Sequence, residues 1–250
     1  MRIARIDGRW ARLDEDGARP LDAAPWLGGS ETGELLERYT LGVPVTPSKI
    51  ICVGRNYRAH AEELANEVPK APLLFLKPPS ALLATEGVIE YPASSERVDY
   101  EGEVAIVIGL RARSIREQDA AAHVFGVTCA NDVTARDLQR ADVQFTRGKG
   151  FDTFCPCGPW IETEPPALDA IRVQTRVDGE LRQDGRTDQM MWGIPSLLAY
   201  ISAIMTLEPG DLVLTGTPEG VGPLTPGQVV EVAVEGVGSL RNTLGGRIVA

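Results

Sequence analysis

Residues 98–109 read Val98-Asp-Tyr-Glu101-Gly-Glu103-Val-Ala-Ile-Val-Ile-Gly109. The run from Glu103 to Ile108 is dominated by β-branched residues at no helical spacing, which predicts a strand. Side chains alternate across a strand, so Glu101 and Glu103 project to the same side. Two like charges placed there repel unless something cationic sits between them. A hard divalent cation meets that need, because Mg²⁺ and Mn²⁺ favour carboxylate oxygens. Asp132, just past the strand-like Phe-Gly-Val-Thr-Cys-Ala-Asn, offers a third carboxylate. The plainer reading is a solvated strand edge that happens to be acidic, and spacing alone leaves both open.

Around this run, short strand-like and helix-like stretches alternate. Strands are predicted at Ile50–Val53, Leu73–Leu76, Phe125–Ala130, Ile171–Val177, Leu212–Thr215 and Val229–Val234, and helices at Tyr57–Leu64, Gln118–Val124, Thr134–Arg140 and Pro195–Met205. The first residues form a hairpin pattern, Met-Arg-Ile-Ala-Arg-Ile and Arg-Trp-Ala-Arg-Leu around an Asp7-Gly8 turn, and Asp178-Gly179 marks a second hairpin. A short helix-like Glu-Leu-Leu-Glu-Arg-Tyr and a breaker-rich Leu-Gly-Val-Pro-Val-Thr-Pro follow the first hairpin. The expected layout is a small N-terminal appendage over residues 1–47 and a main domain over 48–250. The helices are too few and irregular for a repeating βαβ pattern, so the expected class is a β-rich mixed α+β fold.

The chain has 250 residues, 43% hydrophobic and 24% charged, which is ordinary for a globular protein. No apolar run approaches the roughly 20 residues of a membrane span, and the charged N-terminus does not read as a signal peptide. A cytoplasmic protein is the expectation. The net charge of −10 repels nucleic acid and anionic lipid, which argues against both as partners. Cys52, Cys129, Cys155 and Cys157 form no paired Cys-x-x-Cys hooks, and they are expected to be reduced and structural. Neither a nucleophile elbow, a His-Glu-x-x-His motif nor a phosphate loop is present.

Histidine occurs only twice, at His60 and His123. In Gly54-Arg-Asn-Tyr-Arg-Ala-His60-Ala-Glu-Glu63 a helix puts His60 and Glu63 on one face. A carboxylate bonded to the imidazole would fix its tautomer and raise its basicity, as a general base requires; the alternative is an incidental surface pair. Lys149 lies between two glycines and is either an anion holder or an exposed loop lysine, and the same choice applies to Lys77 in Leu-Phe-Leu-Lys-Pro-Pro. Arg55 can pair bidentately with a carboxylate. His123 carries no assigned chemistry.

Taken in order, Ile-Ile-Cys-Val-Gly-Arg-Asn-Tyr-Arg-Ala-His-Ala-Glu-Glu, Leu-Leu-Phe-Leu-Lys-Pro-Pro, Val-Asp-Tyr-Glu-Gly-Glu, Cys-Ala-Asn-Asp-Val-Thr-Ala-Arg-Asp-Leu-Gln, Arg-Gly-Lys-Gly-Phe-Asp-Thr-Phe and Leu-Thr-Gly-Thr-Pro-Glu-Gly resemble the fumarylacetoacetate hydrolase family. The resemblance runs from about Lys49 to near the C-terminus. It implies a roll of mixed β-sheets with flanking helices, assembled as a homodimer. It further implies Glu101, Glu103 and Asp132 as ligands of Mg²⁺ or Mn²⁺, and His60 with Glu63 as a catalytic pair carried by a closing lid. Lys149 becomes the cationic partner, Thr215 and Thr217 contacts for a substrate carboxylate, and Arg55 and Gln139 further residues of the pocket. The segment before Lys49 is shorter than the N-terminal domain of the fumarylacetoacetate hydrolases proper, which favours the smaller acylpyruvate-like branch.

In that family a 2-oxo or 1,3-dicarbonyl acid chelates the metal, which stabilises an enolate. Water delivered by His60 to a distal carbonyl gives C–C hydrolysis of an acylpyruvate or fumarylpyruvate, the outcome that the His-x-x-Glu match favours. Loss of a carboxylate gives oxaloacetate-type decarboxylation, and proton movement along a dienolate gives hydroxymuconate-type isomerisation. A non-catalytic dicarboxylate-binding relative is the remaining alternative.

Overall fold

The protein is described by a computed structural model covering residues 1–65 and 67–249. Its centre is the strand Gly102–Ile108, buried at every position. Val104, Ile106 and Ile108 face one hydrophobic cluster, which contains Val173, Val232 and Leu240 and the helix residues Leu197, Leu198 and Ile201. Ala105 and Val107 face another, with Ile50, Leu212, Leu214, Cys155 and Ile161. Burying both faces explains the continuous apolar run, and each such Val or Ile contributes roughly 1.5–3 kcal/mol.

That strand lies inside an 11-stranded sheet. Its order runs Gly17–Pro20, Arg9–Asp14, Arg2–Ile6, Cys155–Glu162, Val124–Asn131, Gly102–Ile108, Leu212–Leu214, Ile50–Gly54, Leu73–Lys77, with two short strands attached off this path. Neighbours on the path are antiparallel except Leu212–Leu214 and Ile50–Gly54, which are parallel. A 5-stranded sheet, Glu180–Arg186, Arg172–Val177, Val229–Val234, Gly238–Arg247 and Val88–Tyr91, packs on one side. A 3-stranded ribbon joins Thr134–Ala135, Val98–Tyr100 and Gly222–Pro223. The β-rich mixed class expected from the sequence is what the chain adopts.

The two Asp-Gly turns close the hairpins Arg2–Asp14 and Arg172–Arg186 as expected. The front segment is continuous with the main sheet, since Arg2 and Ile3 pair with Glu162 and Ile161. Three helical expectations are corrected. Residues 34–39 form no helix, because Leu36 exchanges both backbone hydrogen bonds with Ala18, at 2.9 Å each. Residues Glu117–His123 wind as a 3₁₀ segment before Val124 enters its strand. Thr134 and Ala135 pair with Asp99 and Val98, so the helix there is only Arg136–Ala141. The strands Cys155–Glu162 and Gly238–Arg247 went unread, their Pro and Gly content masking the pattern. All four cysteines are free and buried. Among the described residues no helix is long and apolar enough to cross a membrane.

Candidate active site

Glu101 and Glu103 flank the start of the central strand, and Asp132 follows its antiparallel partner, whose register sets Gly102 opposite Asn131. One oxygen from each carboxylate lies within 4.8 Å of the others, and all three residues are buried. Gly102 between the two glutamates has no room for a side chain. A Cβ there would sit 2.1 Å from Thr175 Oγ1 and 3.2 Å from Val232, on the facing sheet.

Cationic side chains surround this floor. Lys149 Nζ donates to Glu101 Oε2 at 2.8 Å, Asp132 Oδ2 at 2.5 Å and Thr134 Oγ1 at 2.8 Å. Its position follows from Gly148, where a Cβ would sit 2.8 Å from the Gln139 backbone nitrogen. Lys77, at the end of an edge strand, donates to Asp132 Oδ1 at 2.6 Å and to the Val133 carbonyl at 3.1 Å. Arg136 bridges Asp99 Oδ2 (2.9 Å), Gln139 Oε1 (2.6 Å) and Glu101. The exposed-loop reading of Lys149 and Lys77 is therefore replaced by one in which both brace carboxylates.

These contacts set the charges. Burial alone would push Glu101 up, yet Lys149 and Arg136 hold its carboxyl well below the usual carboxylate range. Burial opposes the Lys149 ammonium, but Asp132 and Glu101 keep its pKa above the ordinary value. Glu103 differs: burial, then Asp132 and Glu101, push it well up, and its contact is the Gly216 N–H at 2.7 Å. Among the described residues no lysine or arginine pairs with Glu103.

His60 lines the same cavity, of about 510 Å³, on the short helix Arg58–Glu63. Burial holds its pKa below the ordinary value, so the imidazole is neutral near pH 7. The expected hydrogen bond to Glu63 is not formed. His60 Nδ1 stands 3.6 Å from Glu63 Oε2, is buried, and has no hydrogen-bond partner. The Glu63 carboxylate instead accepts from the Gly220 N–H at 3.0 and 3.1 Å.

Residues 49–245 match the family described as fumarylacetoacetate (FAA) hydrolase C-terminal. The chain belongs to the fumarylacetoacetate hydrolase family. Three relatives illustrate the range of that family. The mitochondrial oxaloacetate decarboxylase of Dictyostelium discoideum is 46% identical over 77% of this chain and 91% of its own. The oxaloacetate tautomerase YisK of Bacillus subtilis is 40% identical over 81% of this chain and 71% of its own. The crystal structure of a 5-carboxymethyl-2-hydroxymuconate delta-isomerase from Mycobacterium smegmatis is 41% identical, with a TM-score of 0.90 over 98% of this chain and 99% of that one.

Of the other residues singled out from the sequence, Arg55, Gln139 and Thr217 line the cavity of this family member. Thr217 Oγ1 donates to the Gly102 carbonyl at 2.9 Å and accepts from Gln183 Nε2 at 2.8 Å. Thr215 does not line the cavity; its hydroxyl donates to the Val104 carbonyl at 2.8 Å and secures the strand end. Arg136 was missed as a site residue. The available signal was its place in Asn131-Asp-Val-Thr-Ala-Arg136, four residues beyond a candidate ligand.

The donor set fits a hard divalent cation. It offers three carboxylates, with Glu103 unneutralised by any basic side chain among the described residues. Glu101, Glu103 and Asp132 are the residues that would hold a metal ion.

Proposed function

We propose that the site enolises a small 2-oxo acid, seated with its carboxylate and keto oxygens over Glu101, Glu103 and Asp132. The observation that carries this reading is the acidic triad facing a cavity that also holds a buried His60 with an unpartnered Nδ1. A bound Mg²⁺ or Mn²⁺ would supply stabilisation of the negative charge that develops on the keto oxygen. His60 takes the proton from the adjacent carbon, because its neutral imidazole is the lining group able to accept one near pH 7. Lys149, Lys77 and Arg136 keep the acidic floor in place, and Phe75 and Leu73 add apolar lining beside it. Oxaloacetate-type tautomerisation needs no more than this, and relatives at 40–46% identity carry names for oxaloacetate chemistry.

C–C hydrolysis of an acylpyruvate or fumarylpyruvate is the second reading. It asks more of His60, which must activate water with Glu63 behind it, and Glu63 sits 3.6 Å away and bonded to Gly220. Isomerisation of a hydroxymuconate-type acid needs the same base without Glu63. We also propose a homodimer in the cytoplasm, with no nucleic-acid or membrane partner, as the working form; the family resemblance supports the dimer, and the charge of −10 speaks against an anionic partner.

The test is a turnover panel on purified protein with Mg²⁺, Mn²⁺ or EDTA, using oxaloacetate, acetylpyruvate, fumarylpyruvate and a hydroxymuconate-type dienoic acid. Metal-dependent decay of the oxaloacetate enol faster than pyruvate appears is the expected result. Cleavage of a diketo acid as the main activity would favour the hydrolase reading. Silence across the panel with metal bound would sink enolisation and leave a dicarboxylate-binding protein.

A further inference from the structure

The basic groups lining the cavity divide sharply. Lys149 and Arg136 are buried and committed to carboxylates. Arg55 and Arg140 line the same cavity nearer solvent, and among the described residues neither has a carboxylate within 4.0 Å or a side-chain hydrogen bond. Asp142, which also lines the cavity, is already taken by Arg147 at 2.6 Å. Arg55 is also held in the left-handed region at φ 56°, a costly conformation for a long side chain. It sits where the strand Ile50–Gly54 ends and the chain turns toward His60, so the backbone aims this arginine at the cavity.

We propose that Arg55 and Arg140 grip the second carboxylate of a dicarboxylic 2-oxo acid and make the site selective for dicarboxylates over monocarboxylates. The inference rests on the proposed placement of the 2-oxo end over Glu101, Glu103 and Asp132. The lining also includes Leu73, Phe75 and Phe145, apolar surface beside which a carboxylate gains from a guanidinium fork. The floor cannot read the far end of the acid. Two arginines without partners at the other end can, and they leave the enolising groups untouched. An arginine holding that carboxylate stabilises its charge, which opposes its departure as CO₂. The clamp thus favours removal of the proton from the carbon next to the keto group over loss of CO₂ from the same bound keto acid.

Calorimetric titration of the Mn²⁺-loaded protein with 2-oxoglutarate and 2-oxobutyrate tests this without requiring turnover. The wild type is expected to bind the dicarboxylate at least about tenfold more tightly, since one charge-assisted pair is worth about that factor. That preference should fall toward unity in R55Q and in R140Q, with R55N as the variant whose residue tolerates the left-handed backbone. Equal affinity for the two acids in the wild type, or a preference retained in all the variants, overturns the clamp. Repeating the titration with EDTA separates the two claims. A dicarboxylate preference that survives EDTA keeps the clamp and sinks the placement of the 2-oxo end over the triad.

Discussion

The floor and the wall of the cavity are built differently. On the floor, Glu101 and Asp132 are buried and each is bonded to two cationic side chains, and every donor of Lys149 has an acceptor. On the wall, His60 rides a six-residue helix with no side-chain N-cap and has an orphaned Nδ1. Glu63 beside it is 34% exposed at its side chain, against 6% for His60. The Glu101, Asp132 and Lys149 network is satisfied and so rigid, whereas the partly satisfied groups on the wall can rearrange. Under the proposed function, charge placement falls to the floor and proton movement to the wall. It also means the two halves should fail in different ways.

The sharpest break is His60→Ala. Turnover should fall by about 10²–10⁴, the range of a lost general base, while the melting temperature and Mn²⁺ affinity stay near wild type. Lost metal binding in calorimetry would show that wall and floor are not separable. Lys149→Met should do the reverse, leaving Glu101 and Asp132 buried with one cation fewer. Unfolding free energy in the metal-free protein should drop by about 3–5 kcal/mol in a urea titration, as when one partner of a buried pair is removed. A loss under 1 kcal/mol would mean the floor is looser than it reads.

Glu103→Gln should weaken divalent binding by at least about a hundredfold, more than the loss of an outer-shell partner. Because no basic side chain depends on Glu103 among the described residues, the metal-free variant should be no less stable than wild type. Glu63→Gln is the smallest change, about tenfold in rate at the low end of acid–base effects, given the 3.6 Å gap to His60. A drop as deep as that of His60→Ala would mean that Glu63 leaves Gly220 and joins the imidazole during turnover.

The pH dependence follows the same division. His60 is held below its ordinary value of 6.5 by burial, so its protonation disfavours the folded state. The stability it contributes is present above about pH 6.5 and is lost as pH falls toward its lower folded value. The acid limb of the rate profile should lie below pH 6.5 and disappear in His60→Ala, measured where metal remains saturating.

How much could be read beforehand follows the same line. The floor's acids were legible because two-residue alternation in Glu101-Gly-Glu103 is local, and a register between neighbouring strands delivers Asp132. Of its cations, Lys149 was implied by the family resemblance and does meet Glu101 and Asp132, whereas Lys77 and Arg136 were not legible. Whether Lys77 ends exposed or wholly buried depends on an edge strand meeting the loop after Asn131, 55 residues away in sequence from Asp132. Arg136 looked like one arginine among many, and the helix expected from Thr134 hid the fact that Thr134 and Ala135 are spent on the ribbon. On the wall, the three-residue step from His60 to Glu63 was right as geometry. It failed as a hydrogen bond because the Gly220 N–H, 157 residues away, competes for the carboxylate. The residues at 34–39 failed for the same reason: a partner at Ala18 outbid local helical preference.

Gly102 has one more consequence. Its backbone presses against Thr175 of the second sheet so closely that not even a methyl group fits, and the two glutamates stand on either side of it. The joint between the sheets and the acidic triad are therefore one mechanical element. Parting the sheets dismantles the triad, so heating the Mn²⁺-loaded protein should release the cation and separate the sheets as a single event.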